Sequence, residues 1–131
     1  MRDERGSQVV EWILTFPLVW FLVMFAFDQF TIMYNKQRVL AAAYEAGRIA
    51  SVQPNFGLAS YHGEEQGMLE LEQGLAVDDA GIEIIPEGKW RKGRHFEARA
   101  SMTFRLLASS EPYSITESYY MMIENAEEKK R

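Results

Sequence analysis

The sequence contains no cysteine, which removes disulfides, thiolate nucleophiles and cysteine-bearing zinc sites together. The compartment stays open, since exported domains without disulfides are common. Histidine is nearly as scarce. His62 and His95 are the only two, and neither has an acidic partner at metal-ligand spacing, so both are assigned to surface or turn. No glycine-rich phosphate loop follows a strand pattern, and no serine occupies a nucleophile-elbow sequence. The pairs Glu64-Glu65 and Asp78-Asp79 read as a solvated face and a turn. Nothing here points to an enzyme active site, a metal or a cofactor. Positive charge is also in deficit, with 14 basic against 19 acidic residues and a net charge of -5. Residues 1–52 are balanced: Arg2, Arg5, Lys36, Arg38 and Arg48 stand against Asp3, Glu4, Glu11, Asp28 and Glu45. The whole acidic excess therefore falls after them. Phosphate binding needs a positive field, so that acidic part argues against a nucleic-acid partner.

Polar residues are what residues 9–27 lack, with only Glu11, Thr15 and Pro17 interrupting, and the apolar character continues more weakly through Phe30, Ile32, Met33 and Tyr34. As a helix, residues 9–34 are about 39 Å long at ~1.5 Å per residue. That exceeds the roughly 30 Å hydrocarbon core of a bilayer, so the segment is expected to span a membrane with tilt. A cleaved secretory signal is disfavoured, because the apolar core ends in Phe25-Ala26-Phe27-Asp28, bulky where a signal peptidase needs small residues. A buried helix of a soluble protein is disfavoured too, since residues 12–27 show no polar face. Arg2 and Arg5 on one side face Lys36 and Arg38 on the other, so charge encodes orientation poorly. The short N-terminal side favours the cytoplasm, with the remainder exported across the cytoplasmic membrane. Pro17 removes one helical hydrogen bond and is expected to kink or loosen the helix.

Glu11 is the costly residue of the segment, placed two positions inside it. A carboxylate at mid-bilayer costs on the order of 2.5–3.5 kcal/mol, less near an end, and usually has a partner. It is preceded by Gly6-Ser7-Gln8-Val9-Val10 and a short charged leader. A leader, a glycine, a glutamate fifth after it and then a long apolar helix resembles the processing site of type IV prepilins. The stretch from Arg5 to Trp12, with Pro17 six residues after Glu11, is similar to the start of TadE-like proteins. So is Tyr34-Asn35-Lys36-Gln37-Arg38 leading into Ala41-Ala42-Ala43-Tyr44-Glu45-Ala46-Gly47-Arg48. The resemblance covers residues 5–50 without a gap. Trp12 and Trp20 are bulkier than the family's usual residues, and Ala46-Gly47 reverses its commoner order.

This resemblance implies cleavage between Gly6 and Ser7 by a prepilin peptidase. It also implies that Glu11 meets the new Ser7 ammonium of a neighbouring subunit in a dry filament core. The function implied is structural: a minor pilin or pseudopilin of a tight-adherence (Tad) type pilus or related secretion filament. Its partners would be the membrane, other pilin subunits, assembly platform proteins and the peptidase. The other reading is a single-pass membrane protein whose exported domain binds or senses and never enters a filament.

Beyond the span, Ala42, Ala46 and Ala50 form one i, i+4 series and Ala43, Gly47 and Ser51 an adjacent one, a smooth strip for close backbone approach. The strip suits packing against the chain's own domain or between subunits. Helical patterning stops at Pro54-Asn55-Phe56-Gly57. Residues 60–76 read as a second amphipathic helix, with Met68, Leu69, Leu71, Leu75 and Ala76 as its apolar set and Gly67 and Gly74 weakening it. Residues 82–85 form a short β-branched run. Phe96, Ala98, Ala100, Met102, Phe104 and Leu106 alternate with polar residues as one strand, and residues 113–123 as another, with Ile115, Tyr119 and Met121 on a shared face. In the connection Glu87-Gly88-Lys89-Trp90-Arg91-Lys92-Gly93-Arg94-His95, the residues Lys89, Trp90, Arg91, Lys92 and Arg94 form a candidate patch for an anionic surface or another subunit. A solvated tip protecting a sheet edge is the plainer account.

The expected fold is α+β: a long N-terminal transmembrane, pilin-like helix, a second short helix and a small three-stranded antiparallel sheet. The expected division is a leader at 1–6, a helix at 7–52 spanning the membrane at about 9–30, and an exported domain at 53–131. The tail from 124 to 131 is expected to fray.

Overall fold

The structure, a computed structural model, describes residues 2–109 and 111–126, with side chains from Arg5 onward. Helix α1 (Arg2–Ser51) is followed by α2 (Phe56–Leu71) and the strands β1 (Val77–Pro86), β2 (His95–Arg105) and β3 (Pro112–Met122). The fold is the expected α+β arrangement, one antiparallel sheet in the order β1-β2-β3 with two helices packed on it.

α1 is 50 residues long, about 75 Å at ~1.5 Å per residue. It begins before Ser7, because Arg2-Asp3-Glu4-Arg5 offers no helix breaker and Gly6 alone is too weak a one. Met1 lies outside the described residues. The helical turns continue across Pro17. Along its length α1 has two characters. Residues 5–27 are exposed at every position except the half-buried Met24. From Asp28 onward one face is buried, running through Asn35, Val39, Ala42, Ala43, Ala46, Gly47, Ala50 and Ser51.

α2 lies against that face. Its start is set by Asn55, in an extended conformation, whose Oδ1 accepts a hydrogen bond from the Leu58 N–H at 2.9 Å. This cap starts the helix four residues earlier than the apolar pattern indicates. The helix also ends earlier, at Leu71, with Glu72 as its C-cap, and in the connection that follows Gly74 lies where a Cβ would come within 2.7 Å of Met102 and Val77. The buried stripe of α2 is Ala59, Gly63, Gly67 and Leu71, whereas Leu69 and Leu75 are exposed. The expected apolar set is corrected accordingly. Gly67, read from sequence as a weakness, is a contact: a Cβ there would lie 2.6 Å from Ile82 and 3.3 Å from the Cβ of Ala46. Gly63 likewise sits against the Ala46 carbonyl and Ile84.

The sheet covers the rest of α1. β2 is central and buries Phe96, Ala98, Ala100, Met102 and Phe104 on alternate positions. Its register pairs Ala98 with Ile84 on one side and with Tyr119 on the other. β1 starts at Val77 rather than Ile82, so Asp78 and Asp79 belong to a strand and not to a turn. A register shift between Val77 and Asp79 absorbs the extra residue, and the Asp78 carboxylate meets Arg105 Nε at 2.9 Å. On β3, Ile115 is buried and Met121 half-buried, while Tyr119 remains exposed and meets Tyr44 edge-on at 5.8 Å. After β3 the Glu124 and Asn125 N–H groups donate to Ser51 O, at 2.8 and 3.2 Å, and satisfy the end of α1. Residues 127–131 of the expected fraying tail lie outside the described residues.

Candidate membrane and assembly site

Gly6 and Ser7 lie on the first turns of α1, both exposed, and a Cβ at Gly6 would meet nothing within 4 Å. Glu11 follows one turn above Ser7. It is exposed, and no ion pair to it exists among the described residues. Its surroundings are a shallow groove of the helix surface lined by Trp12, Thr15, Phe16 and Val19, with Trp12 and Phe16 stacked at 6.4 Å. The Glu11 carboxylate thus lies close to the end of an apolar stretch, beside aromatic and aliphatic side chains and the Thr15 hydroxyl.

The small-residue strip is used internally. Ala42, Ala43, Ala46 and Ala50 have no exposed surface. Ala46 faces Gly63 and Gly67 of α2, while Gly47 faces the sheet, where a Cβ would sit 2.7 Å from Met121 Sδ and 3.2 Å from the Cβ of Ala98. Two helices and a sheet meet here because none of these positions has more than a methyl group.

The hairpin between β1 and β2 is divided. Lys89, Arg91, Lys92 and Arg94 are exposed. Trp90 turns inward: its Nε1 donates to Gln53 O at 3.0 Å, and its ring lies 5.2 Å from Phe96 and 6.3 Å from Phe56. The structure therefore separates the tryptophan from the cations with which the sequence groups it. Of the two histidines, His95 is the exposed first residue of β2, while His62 is half-buried on α2 beside Tyr61. No group of three potential metal ligands occurs among the described residues.

Two residues that sequence reasoning did not single out organise the junction between span and domain. Asp28 is 4% exposed, and its two oxygens accept the Leu107 N–H at 2.7 Å and the Ala108 N–H at 2.8 Å. Asn35, fully buried, donates from Nδ2 to Leu75 O at 2.9 Å and accepts the Leu75 N–H on Oδ1 at 2.8 Å. They stand seven residues apart on one face of α1. Each reads a backbone that regular structure leaves unpaired, Asp28 in the β2–β3 connection and Asn35 in the α2–β1 connection. The signal in the sequence was their period, two polar residues in phase with Val39, Ala42 and Ala46. Beside them Arg38 crosses to Glu70 on α2 at 3.1 Å and lies over the Tyr34 ring; Tyr34 first, then Glu70, raise its pKa above the ordinary arginine value.

α1 is long and apolar enough to cross a membrane, and its most apolar window has no part buried in the fold. Residues 6–48 match the family model of TadE-like proteins. That TadE-like segment contains Gly6, Ser7, Glu11, Asp28, Asn35 and the small residues up to Gly47, so it ends inside the part of α1 that the domain covers. No curated protein and no solved structure matches the chain. The match spans about a third of the chain and lies wholly within α1.

Proposed function

We propose that this protein is a minor pilin or pseudopilin, a structural component of a Tad-type pilus or a related secretion filament. One observation carries the reading: the Gly6 and Glu11 pair heads an apolar helix whose residues 6–23 are all exposed, within the TadE-like match. In this reading residues 1–6 are a leader removed by a prepilin peptidase on the cytoplasmic side. Residues 9–30 then hold the subunit in the membrane, with residues 53–131 outside. On assembly the bare half of α1 exchanges lipid for neighbouring helices, and Glu11 meets the Ser7 ammonium of another subunit. Co-expression with a prepilin peptidase is expected to lower the intact mass by that of Met1 to Gly6 and to expose Ser7 as the N-terminus. An unchanged mass would overturn the reading.

A second reading has its own observation. The strip Ala42, Ala43, Ala46, Gly47 and Ala50 is covered by the chain's own α2 and sheet, so it offers no packing surface to another subunit. A single-pass protein with an exported binding or sensing domain accounts for that equally well, and in it Glu11 is dispensable. Glu11→Leu in the native host separates the two. Loss of the protein from surface filaments supports the first, and unchanged exposure supports the second.

A further inference from the structure

Residues 9–27 make about 28 Å of helix at ~1.5 Å per residue, close to the roughly 30 Å hydrocarbon thickness of a bilayer. The next residue is Asp28, and it is there that the β2–β3 connection is attached through the Leu107 and Ala108 N–H groups. The attachment has two chemical consequences. It shields a carboxylate at the edge of the apolar stretch, leaving it 4% exposed, and it satisfies two backbone donors of a loop at the same depth. An unpaired N–H would keep such a loop in water. What the loop then presents outward is Leu107, 62% exposed and the most exposed of the large aliphatic side chains outside α1 among the described residues. On the turns of α1 that follow Asp28, Phe30 and Met33 are similarly bare, at 59% and 65%.

We propose that this collar of Leu107, Phe30 and Met33 is a lipid-contacting surface. The β2–β3 connection rests in the interfacial layer of the same bilayer that α1 crosses, with Asp28 as the polar pin that sets its depth. The inference rests on the reading that α1 spans a bilayer. Depth identifies lipid as the occupant: Leu107 is tethered at Asp28, the residue directly after Phe27, which is itself 56% exposed at the end of the bare segment. Glu111, beyond the pinned residues, is exposed at the rim, as an interfacial loop allows.

The absence of cysteine makes the test direct. Single cysteines are placed in the full chain at Leu107, at Leu18 within the bare segment and at Lys92 on the β1–β2 hairpin. Each is labelled with an environment-sensitive fluorophore and reconstituted into phosphatidylcholine vesicles at high lipid-to-protein ratio. Lipids carrying a nitroxide near the headgroup are then added as quenchers. Leu107→Cys is expected to show blue-shifted emission that these lipids quench, while Lys92→Cys emits as in water and is unquenched. If Leu18→Cys reports lipid and Leu107→Cys emits as in water, the collar proposal fails while the spanning reading stands. If Leu107→Cys is blue-shifted but unquenched, protein rather than lipid covers it, and the proposal is overturned. If Leu18→Cys also emits as in water, both fail together.

Discussion

At the scale of single residues, the polar side chains of α1 divide by what they face. Asp28 and Asn35 are consumed by backbone groups of the same chain, whereas Glu11 makes no ion pair among the described residues. Asp28→Ala strips two N–H groups of a charged acceptor, and the expected loss is about 2–4 kcal/mol, since hydrogen bonds to charged groups exceed neutral ones. Asp28→Asn, which keeps one accepting oxygen, is expected to fall between Ala and the wild type. Chemical unfolding of the full chain in detergent micelles, followed by circular dichroism, measures both. Gly6 sits where a side chain meets nothing. Gly6→Ala is therefore expected to leave unfolding unchanged; under the pilin reading proposed above it is also expected to block removal of the leader, read as intact mass after co-expression with a prepilin peptidase. A stability loss at Gly6 would contradict the open surface seen there.

At the scale of elements, the strands were legible because β2 alternates strictly, and a half-buried sheet imposes that period on its sequence. α2 was legible as a helix but not in its orientation. Its exposed Leu69 and buried Gly63 and Gly67 invert the usual rule that large apolar residues face inward. The inversion has a steric cause: a Cβ at Gly67 would lie 2.6 Å from Ile82 and one at Gly63 3.2 Å from Ile84 and the Ala46 carbonyl, so either would force a neighbour to move. Gly67→Ala is therefore expected to destabilise the protein despite its better helix propensity of about 0.8–1.0 kcal/mol, because overpacking costs about 1–3 kcal/mol. Gly47→Ala, pressed against Met121 and Ala98, is expected to cost about 1–3 kcal/mol by the same mechanism. The midpoint of thermal unfolding in micelles checks both. An increase at either position would show that the neighbouring side chains yield freely.

At the scale of the whole molecule, α1 carries a bare half and a covered half, and the domain is held at both ends of the covered half. Asp28 and Asn35 hold the lower end. Ser51 O, which accepts Glu124 and Asn125, and Gln53 O, which accepts Trp90, hold the upper. Because residues 5–22 make no buried contribution, a chain starting at Val23 is expected to be soluble without detergent and to unfold cooperatively. A chain starting at Lys36 lacks Asp28, Ile32 and Asn35 and is expected to lose that cooperativity. Heat-induced unfolding followed by circular dichroism distinguishes them, and equal cooperativity in both would show that the lower attachments contribute nothing.

The sequence by itself determined the apolar segment, the Gly6 and Glu11 spacing, the α+β class and most strand positions. All of these are local: they depend on composition and period within a few turns or one strand. Only the tertiary structure decided which partner each ambiguous feature meets. The small strip from Ala42 to Ala50 suits a neighbouring subunit or the chain's own sheet equally well in sequence. Trp90 reads as a tip residue until Gln53 is brought beside it from 37 positions away. Asp28 reads as the end of a span until a loop 79 residues downstream supplies its donors. Such pairings join residues whose types carry no trace of one another, so they become visible only when the chain has folded.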